Sequence, residues 1–295
     1  MPSDCQKTAQ LLDGNICAQV YQNQLKAEIQ NHLITHENRP GLAVIQIGSD
    51  PASTLYINKK KSACAWVNIE TFSHQLAHHT SESELLQLIE HLNHEANIHG
   101  ILVQMPLPRH INPLNIIEAI RPSKDVDGLH PHALGHLIQK DPTFTPCTPY
   151  GIQLMLQHYQ LSLSGLNTVI VGSSITVGRP IGLMCLNENA TITLCHSATR
   201  HLKDHIQTAD CLITAIGNPH VIDPNWLTDY LMIIDVGIHR SPEGRVMGDI
   251  PQHAALHRTQ WLTPVPGGVG PMTVTALLLN TWQAYQRQNQ HKIET

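Results

Sequence analysis

The sequence predicts an α/β protein with mainly parallel sheets, divided into two domains. Short apolar runs alternate with helical patterns along the chain, and this alternation is typical of parallel strands covered by helices on both faces. At 295 residues the chain is long enough for two domains of ordinary size. From Leu166 onward a strand, a glycine-containing turn and a helix start follow each other, which indicates a nucleotide-binding unit.

Composition excludes several classes of protein. Hydrophobic residues make up 41% and charged residues 14%, as in a soluble globular protein. The net charge of -5 argues against a nucleic-acid surface. No apolar stretch approaches the ~18 residues that span a bilayer, and residues 1–10 lack the apolar core of a signal peptide. We therefore expect a cytoplasmic protein with neither a nucleic acid nor a membrane as partner.

Cysteines and histidines give no sign of a disulfide framework or a metal site. The seven cysteines are scattered without a Cys-x-x-Cys pair, which favours reduced, mostly buried thiols. Histidine is abundant at 21 residues, yet no His-Glu-x-x-His or comparable ligand spacing accompanies it. We expect no metal.

The first half of the chain has a repeated helix–strand pattern. It predicts, in order, a helix over 16–34, a strand over 41–48, a helix opening near Thr54 with Ser53 as N-cap, a strand over 68–76, a helix behind the Ser81-Glu-Ser-Glu84 capping box, a strand over 100–104 and a helix over 113–120. The carboxyl ends of such strands share one edge, where open α/β sheets bind ligands.

Three polar side chains are expected near that edge. Tyr56 and Lys60 are four residues apart and project from one helix face, and Gln104 ends a buried strand. Spacing alone favours structural roles for these residues. The lysine run 59–61 is typical of a solvated helix face, and a glutamine at the end of a strand is typical of a loop cap.

A polar turn over 122–128 carries two carboxylates. Asp125 and Asp127 are two residues apart, so they face opposite ways on an extended backbone. Only one of them can therefore face a ligand.

Three phrases in this half resemble the bifunctional methylenetetrahydrofolate dehydrogenase / methenyltetrahydrofolate cyclohydrolase family. They are Pro51-Ala-Ser-x-x-Tyr-x-x-x-Lys-x-Lys-x-x-Cys64, Val103-Gln-Met-Pro-Leu-Pro108 and Lys124-Asp-Val-Asp-Gly-Leu-His-Pro131. The resemblance implies that Lys60 is the catalytic lysine, that Gln104 touches it and the substrate, and that Asp127 holds the pterin. This chain departs from the family at Ala133, where asparagine is usual.

The second half begins at Pro146-Cys-Thr-Pro-Tyr-Gly151, another phrase similar to the family and a good domain boundary. It predicts, in order, a helix over 150–160, a strand over 167–172, a helix through Leu186, strands over 190–194, 211–217 and 231–237, and a last helix over 273–290. The loop after Gly172 reads Gly-x-Ser-x-x-x-Gly, which by itself is a weak nucleotide fingerprint and equally fits a plain strand–helix turn.

Within its context this loop resembles the family's cofactor loop. The resemblance implies NADP bound by Gly172, Ser173, Ser174, Val177, Gly178, Ser197 and Ile238. The family commonly has arginine at position 173, which suits a 2′-phosphate. With Ser173 the charge is missing, so NAD stays open as the cofactor, and Arg179 or Arg200 stays open as a replacement.

The most specific phrase is Thr263-Pro-Val-Pro-Gly-Gly-Val-Gly-Pro-Met-Thr273, whose glycines and prolines fix an unusual backbone path. A tight turn is the plain interpretation. The resemblance implies that Pro266, Gly267, Gly268 and Pro271 contact the folate, together with Ser53, Tyr56, Gln104 and Asp127.

As a whole, the resemblance implies two α/β domains with a cleft between them, the second Rossmann-like, in a homodimer. The folate and catalytic domain would span 1–147 with the helix 272–295, and the NAD(P)-binding domain 148–271. Catalysis would fall to Lys60, Tyr56, Gln104 and Asp127 in one-carbon metabolism that serves purine biosynthesis. Alternatives are a cyclohydrolase without dinucleotide binding, a non-catalytic folate-binding paralogue and an unrelated dehydrogenase of the shikimate type.

Overall fold

The computed structural model describes residues 8–241 and 244–290. The strands are β1 (Gln10–Leu11), β2 (Gly41–Ile47), β3 (Glu70–Leu76), β4 (Gly100–Val103), β5 (Asn167–Val171), β6 (Thr191–Cys195), β7 (Cys211–Thr214), β8 (Tyr230–Asp235), β9 (His239–Arg240), β10 (Val246–Met247) and β11 (Thr259–Leu262). The α-helices are α1 (Gly14–Leu33), α2 (Pro51–Trp66), α3 (Glu82–His94), α4 (Pro113–Ala119), α5 (Pro131–Ile138), α6 (Cys147–His158), α7 (Gly178–Asn187), α8 (Leu202–Gln207), α9 (Gln252–Ala255) and α10 (Val269–Gln290). Single turns of 3₁₀-helix lie at Pro122–Lys124 and Pro224–Trp226.

The chain divides into two compact units. The first unit joins residues 19–147 to the chain from Val274 onward, and the second joins the chain up to Ala18 to residues 148–273. The assignment of the folate to residues 1–147 with 272–295, and of the dinucleotide to residues 148–271, stays a prediction.

The first unit contains a three-stranded sheet in the order β3-β2-β4, with both pairings parallel. Strands β2 and β4 are buried along nearly their whole length, as expected for a sheet covered on both faces. Ala43, Ile45, Ile89, Ile101 and Ile116 contribute to one apolar cluster formed by β2, β4, α3 and α4. The predicted capping box of α3 is confirmed, because Ser81 and Glu84 exchange side-chain and backbone hydrogen bonds.

The second unit contains a six-stranded sheet in the order β1-β11-β8-β7-β5-β6, and every pairing is parallel. From β5 the chain moves outward to β6 and then returns to β7 on the other side of β5. The strand order therefore reverses at β5, which is the topology that places a ligand at the carboxyl ends of β5 and β7. The predicted parallel, Rossmann-like sheet is confirmed.

Several element boundaries differ from the sequence prediction, and three of these differences have a clear physical cause. Helix α2 begins at Pro51 and not near Thr54, because the Asp50 side chain accepts the Ser53 N–H at 2.8 Å and proline needs no acceptor in the first turn. Strand β3 begins at Glu70, since Asn68 has a φ of 65° that an extended strand does not allow. Helix α10 begins at Val269 and not at Thr273, and Pro271 fits there because the amides of a first helical turn need no helical partner.

Strand β1 was not predicted from the sequence. It has only two residues, and its pairing partner β11 lies about 250 positions away in the chain, with Gln10 opposite Trp261. Among the helices in the described ranges 8–241 and 244–290, none is both long and apolar enough to cross a membrane.

Candidate active site

In the first unit, helix α2 carries the predicted lysine into a buried position. Lys60 is only 7% exposed, whereas its neighbour Lys59 is exposed. The ammonium nitrogen of Lys60 lies 4.6 Å from the centre of the Tyr56 ring, one helical turn earlier. The lysine run is therefore not a uniform solvated face.

Gln104 joins this pair from the end of β4. The Lys60 Nζ donates a hydrogen bond of 3.0 Å to Gln104 Oε1, although 44 positions separate the two residues. The amide nitrogen of Gln104 donates to the Met105 carbonyl at 2.7 Å, which fixes the side-chain oxygen toward the lysine. The structure thus brings together Tyr56, Lys60 and Gln104, as expected.

Burial lowers the pKa of the Lys60 ammonium, because the low-dielectric interior disfavours its charge. Asp127, Cys147 and Cys64 act in the opposite direction. Burial raises the pKa of the Cys64 thiol to about 12, so that group stays protonated. Burial therefore favours the neutral amine of Lys60.

The two carboxylates of the 122–128 turn make different contacts, although both line the same apolar pocket. Asp125 is 2% exposed and accepts hydrogen bonds from the Gly128 N–H (3.2 Å) and the His130 N–H (2.8 Å), so its oxygens hold the turn. Burial raises the pKa of Asp125 to about 6. Asp127 is partly exposed and acts electrostatically on Lys60. It also lines, with Asp125, an apolar pocket formed by β4, α4 and Leu129.

Sequence reasoning missed the side chains that hold the backbone around Asp127. Asn280, from α10, donates from Nδ2 to the carbonyls of Val126 and Thr145, both at 2.9 Å. The Cys147 thiol also donates to the Val126 carbonyl (3.3 Å), and the Cys147 N–H donates to the Asp127 carbonyl (3.2 Å). Asn280 lies more than 130 positions from these partners, and no local pattern signals such a contact.

Ser53 occupies the first turn of α2, where its N–H binds Asp50 at 2.8 Å and its side chain is half-buried. It is seven residues before Lys60, about two helical turns. The structure therefore places it on the same helix as Tyr56 and Lys60 but toward its amino end.

In the second unit, the predicted cofactor loop follows β5. Gly172 has a φ of +122°, and a Cβ there would lie 2.2 Å from the Ala215 carbonyl oxygen. A Cβ at Gly178 would lie 1.9 Å from the Gly172 carbonyl oxygen, so both positions need glycine to let the backbone approach closely. At the start of α7, Ser174 Oγ accepts the N–H groups of Val177 (3.2 Å) and Gly178 (3.3 Å).

Arg179 lies beside the serine that replaces the usual arginine. Its Nε donates to the Ser173 carbonyl oxygen at 3.1 Å, and the side chain is exposed. The predicted Ser197 is exposed in the turn after β6, and Ile238 is 57% exposed just after β8. All seven predicted cofactor residues thus follow the carboxyl ends of β5, β6 and β8 in one sheet.

The loop over 263–268 packs tightly within the second unit. Gly267 has a φ of +110°, and its carbonyl accepts the Gly14 N–H at 2.8 Å. A Cβ at Gly268 would lie 2.6 Å from the Pro264 carbonyl oxygen. Residues 265–267 form a turn directly before α10, as the plain interpretation expected, and Pro271 lies in the first turn of that helix.

Comparison with known proteins covers nearly the whole chain. The family described as tetrahydrofolate dehydrogenase/cyclohydrolase, catalytic domain, matches residues 12–127, and the one described as tetrahydrofolate dehydrogenase/cyclohydrolase, NAD(P)-binding domain, matches residues 146–289. The bifunctional protein FolD of Legionella pneumophila is 46% identical over 279 residues, which cover 95% of this chain and 98% of that protein.

Solved structures of proteins from the same family are also similar to this chain. The bifunctional methylenetetrahydrofolate dehydrogenase/cyclohydrolase FolD from Campylobacter jejuni has a TM-score of 0.90 and 40% identity, covering 95% of this chain and 99% of that one. The Trypanosoma brucei enzyme, solved with NADP cofactor and inhibitor, has a TM-score of 0.90 and 32% identity, covering 95% and 98%.

Proposed function

The chain belongs to the tetrahydrofolate dehydrogenase/cyclohydrolase family, and we propose that it performs both reactions of that family. In the first, 5,10-methylenetetrahydrofolate is oxidised to the 5,10-methenyl cation with NADP+. In the second, the cation is hydrolysed to 10-formyltetrahydrofolate. The single observation that carries the proposal is the buried Lys60 amine, held by Gln104 beside the Tyr56 ring.

Lys60 moves protons in the hydrolysis. Water adds to the methenyl carbon, a C–O bond forms, and the neutral amine of Lys60 accepts the proton that the water loses. As the C=O bond of the formyl group forms, the hydroxyl of the adduct loses its proton to solvent and a C–N bond of the five-membered ring breaks. The protonated Lys60 amine gives its proton to the departing nitrogen, so one proton is released overall. The lowered pKa of Lys60 favours the neutral amine that accepts the proton of the attacking water. Gln104 keeps the amine oriented through its 3.0 Å hydrogen bond.

The other substrate-side residues bind and orient the folate. The Asp127 carboxylate accepts the N–H groups of the pterin edge, a charge-assisted contact. The Tyr56 ring stacks on the folate and holds the one-carbon bridge in place, which is a positioning effect. Ser53, Pro266, Gly267, Gly268 and Pro271 complete the substrate contacts.

The loop after β5 fits a dinucleotide, because Gly172 and Gly178 have no Cβ and let the backbone close tightly where the strand order reverses. We assign Gly172, Ser173, Ser174, Val177, Gly178, Ser197 and Ile238 to its binding. NADP+, when bound, supplies the hydride acceptor, and the protein supplies binding and orientation.

We further propose functional domains of 1–147 with 272–295 for the folate and 148–271 for the dinucleotide. We also propose a homodimer that works in the cytoplasm and supplies one-carbon units for purine biosynthesis. Neither a nucleic acid nor a membrane is a proposed partner.

The test measures methenyltetrahydrofolate formation with NADP+ and NAD+ in parallel, followed by methenyl hydrolysis in the absence of dinucleotide. We expect both activities and a preference for NADP+. Preference for NAD+ would make Ser173 the residue that changed cofactor choice. Hydrolysis without any dinucleotide-dependent oxidation would favour a cyclohydrolase alone, for which the missing charge at Ser173 is the motivating observation.

A further inference from the structure

Two buried carboxylates lie at the carboxyl edge of the six-stranded sheet and have no role in the reaction described above. Asp235 is the last residue of β8 and is 2% exposed. Asp249 follows β10 by two residues and is fully buried. Burying a charge is costly unless it is well paired, so these positions call for an explanation.

Asp235 binds the backbone that carries Asp249. Its Oδ1 accepts the N–H groups of Gly237 and Asp249, each at 3.0 Å, and its Oδ2 accepts the Ile250 N–H at 3.0 Å. The Thr214 hydroxyl, at the end of β7, also donates to Oδ1 at 3.0 Å. One carboxylate thus joins the ends of β7 and β8 to residues 249–250.

Asp249 in turn binds the loop that follows β7. Its Oδ2 accepts the Ile216 N–H at 2.7 Å, and its Oδ1 accepts the Asn218 N–H at 3.0 Å. An ionised carboxylate that accepts two amides forms charge-assisted hydrogen bonds, which are about twice as strong as neutral ones. The path of loop 215–218 therefore depends on Asp249.

Two glycines leave room for this arrangement. A Cβ at Gly237 would lie 2.1 Å from the Asp249 carboxyl carbon, and a Cβ at Gly248 would lie 2.0 Å from an Asp235 oxygen. Burial raises the pKa of Asp235 to about 6 and raises that of Asp249, while the backbone hydrogen bonds act in the opposite direction. Charged groups retained at such a cost are more common at functional positions than in an ordinary core.

Loop 215–218 contacts the proposed cofactor loop directly. The Ala215 N–H donates to the Val171 carbonyl at 2.8 Å, and the Ala215 carbonyl oxygen occupies the space that a Cβ at Gly172 would need. Both loops leave the sheet at the carboxyl ends of β5 and β7, where a dinucleotide binds in this topology.

We propose that Asp249 is a positioning residue for the dinucleotide, because it holds loop 215–218 beside the cofactor loop, and that Asp235 holds Asp249 in place. The proposal rests on the cofactor site proposed above. A change at Asp249 should therefore affect oxidation but not methenyl hydrolysis, since only oxidation needs the dinucleotide.

The test is Asp249→Asn in the full-length enzyme, which keeps the shape of the side chain but replaces one acceptor oxygen by a donor. The readout is the ratio of NADP+-dependent oxidation to methenyl hydrolysis, measured on one sample at low NADP+, because this ratio does not depend on the folded fraction. We expect the KM for NADP+ to rise about tenfold or more, in line with the loss of a charged hydrogen bond, with kcat/KM for hydrolysis within about twofold of wild type. Asp210→Asn is the matched control, since Asp210 binds the Asn167 N–H at 2.8 Å at the opposite edge of the same sheet.

An unchanged KM for NADP+ in Asp249→Asn, or a parallel fall in both activities, overturns the proposal. If Asp249→Asn yields no soluble protein, the same ratio of activities is measured in Thr214→Val. That substitution removes only the hydroxyl that donates to Asp235, and an unchanged ratio there also overturns the proposal. If the wild-type enzyme prefers NAD+, the proposed cofactor choice fails while the same ratio, measured with NAD+, still decides the role of Asp249.

Discussion

The amine of Lys60 lies 3.0 Å from the Oε1 atom of Gln104, and the Gln104 amide is itself oriented by the Met105 carbonyl. A buried amine that donates to a neutral oxygen keeps access to its uncharged form, whereas a carboxylate partner at that distance would favour the ammonium. The choice of glutamine at this position therefore bears directly on the protonation state of the lysine.

Replacing Lys60 should separate the two reactions. Lys60→Met keeps the length of the side chain but removes the proton acceptor, so we expect methenyl hydrolysis to fall by about 10²–10⁴-fold, the usual contribution of a general acid–base group. Hydride transfer needs no proton movement at this position, and oxidation should continue. Lys59→Met is the matched control, because Lys59 is exposed on the same helix. Hydrolysis that survives in Lys60→Met would contradict the assigned role.

Adding a charge at Gln104 should move the pH profile of hydrolysis. In Gln104→Glu the new carboxylate faces Lys60 and raises its pKa, so the neutral fraction of the amine at pH 7 falls. At pH values below the inflection we expect the rate to drop about tenfold for each pKa unit gained, and the inflection of the profile to move to higher pH. Gln104→Met, which removes the acceptor without adding a charge, should not move the inflection upward. A Gln104→Glu profile that coincides with wild type would count against the Lys60–Gln104 mechanism.

Cofactor choice should respond to the charge near Ser173. The Arg179 Nε donates to the Ser173 carbonyl at 3.1 Å, and this contact makes Arg179 a candidate replacement for the missing arginine. We expect Arg179→Gln to raise the KM for NADP+ about tenfold with little change for NAD+, and Ser173→Arg to increase the preference for NADP+ by a similar factor. Arg200→Gln is the comparison variant. An effect of Arg200→Gln alone would assign the phosphate contact to Arg200.

The buried Asp125 should make folding stability depend on pH. Its pKa is raised by burial from 3.8 to about 6 in the folded protein, so between these values the folded state keeps a proton that the unfolded state has released. Stability therefore falls as pH rises through this window and levels off above it. From pH 5 to 7.5 wild type should lose about 1 kcal/mol more unfolding free energy than Asp125→Asn, which cannot titrate. Urea unfolding at the two pH values measures this difference, and parallel losses would contradict it.

Much of the fold could be predicted because its signals are local. Apolar runs that are bounded by glycine or proline predict the strands β2, β4, β5, β7 and β8 to within a few residues. The spacing of four residues likewise predicts that Tyr56 and Lys60 share one helix face. Helix ends are harder to predict from sequence, because a cap depends on which side chain reaches the first amides. Asp50 caps α2 where Ser53 was expected.

The parallel α/β class and the family could be recognised from the sequence, and Lys60, Gln104 and Asp127 could be named as candidates, because each inference depends on residues close together in the chain. Three contacts are visible only in the folded protein: Lys60 is buried against Gln104, Asn280 binds the carbonyl of Val126 beside Asp127, and Asp249 binds the loop after β7. Those contacts join residues tens of positions apart or more. Their formation depends on the packing of whole elements, and no short-range pattern encodes it.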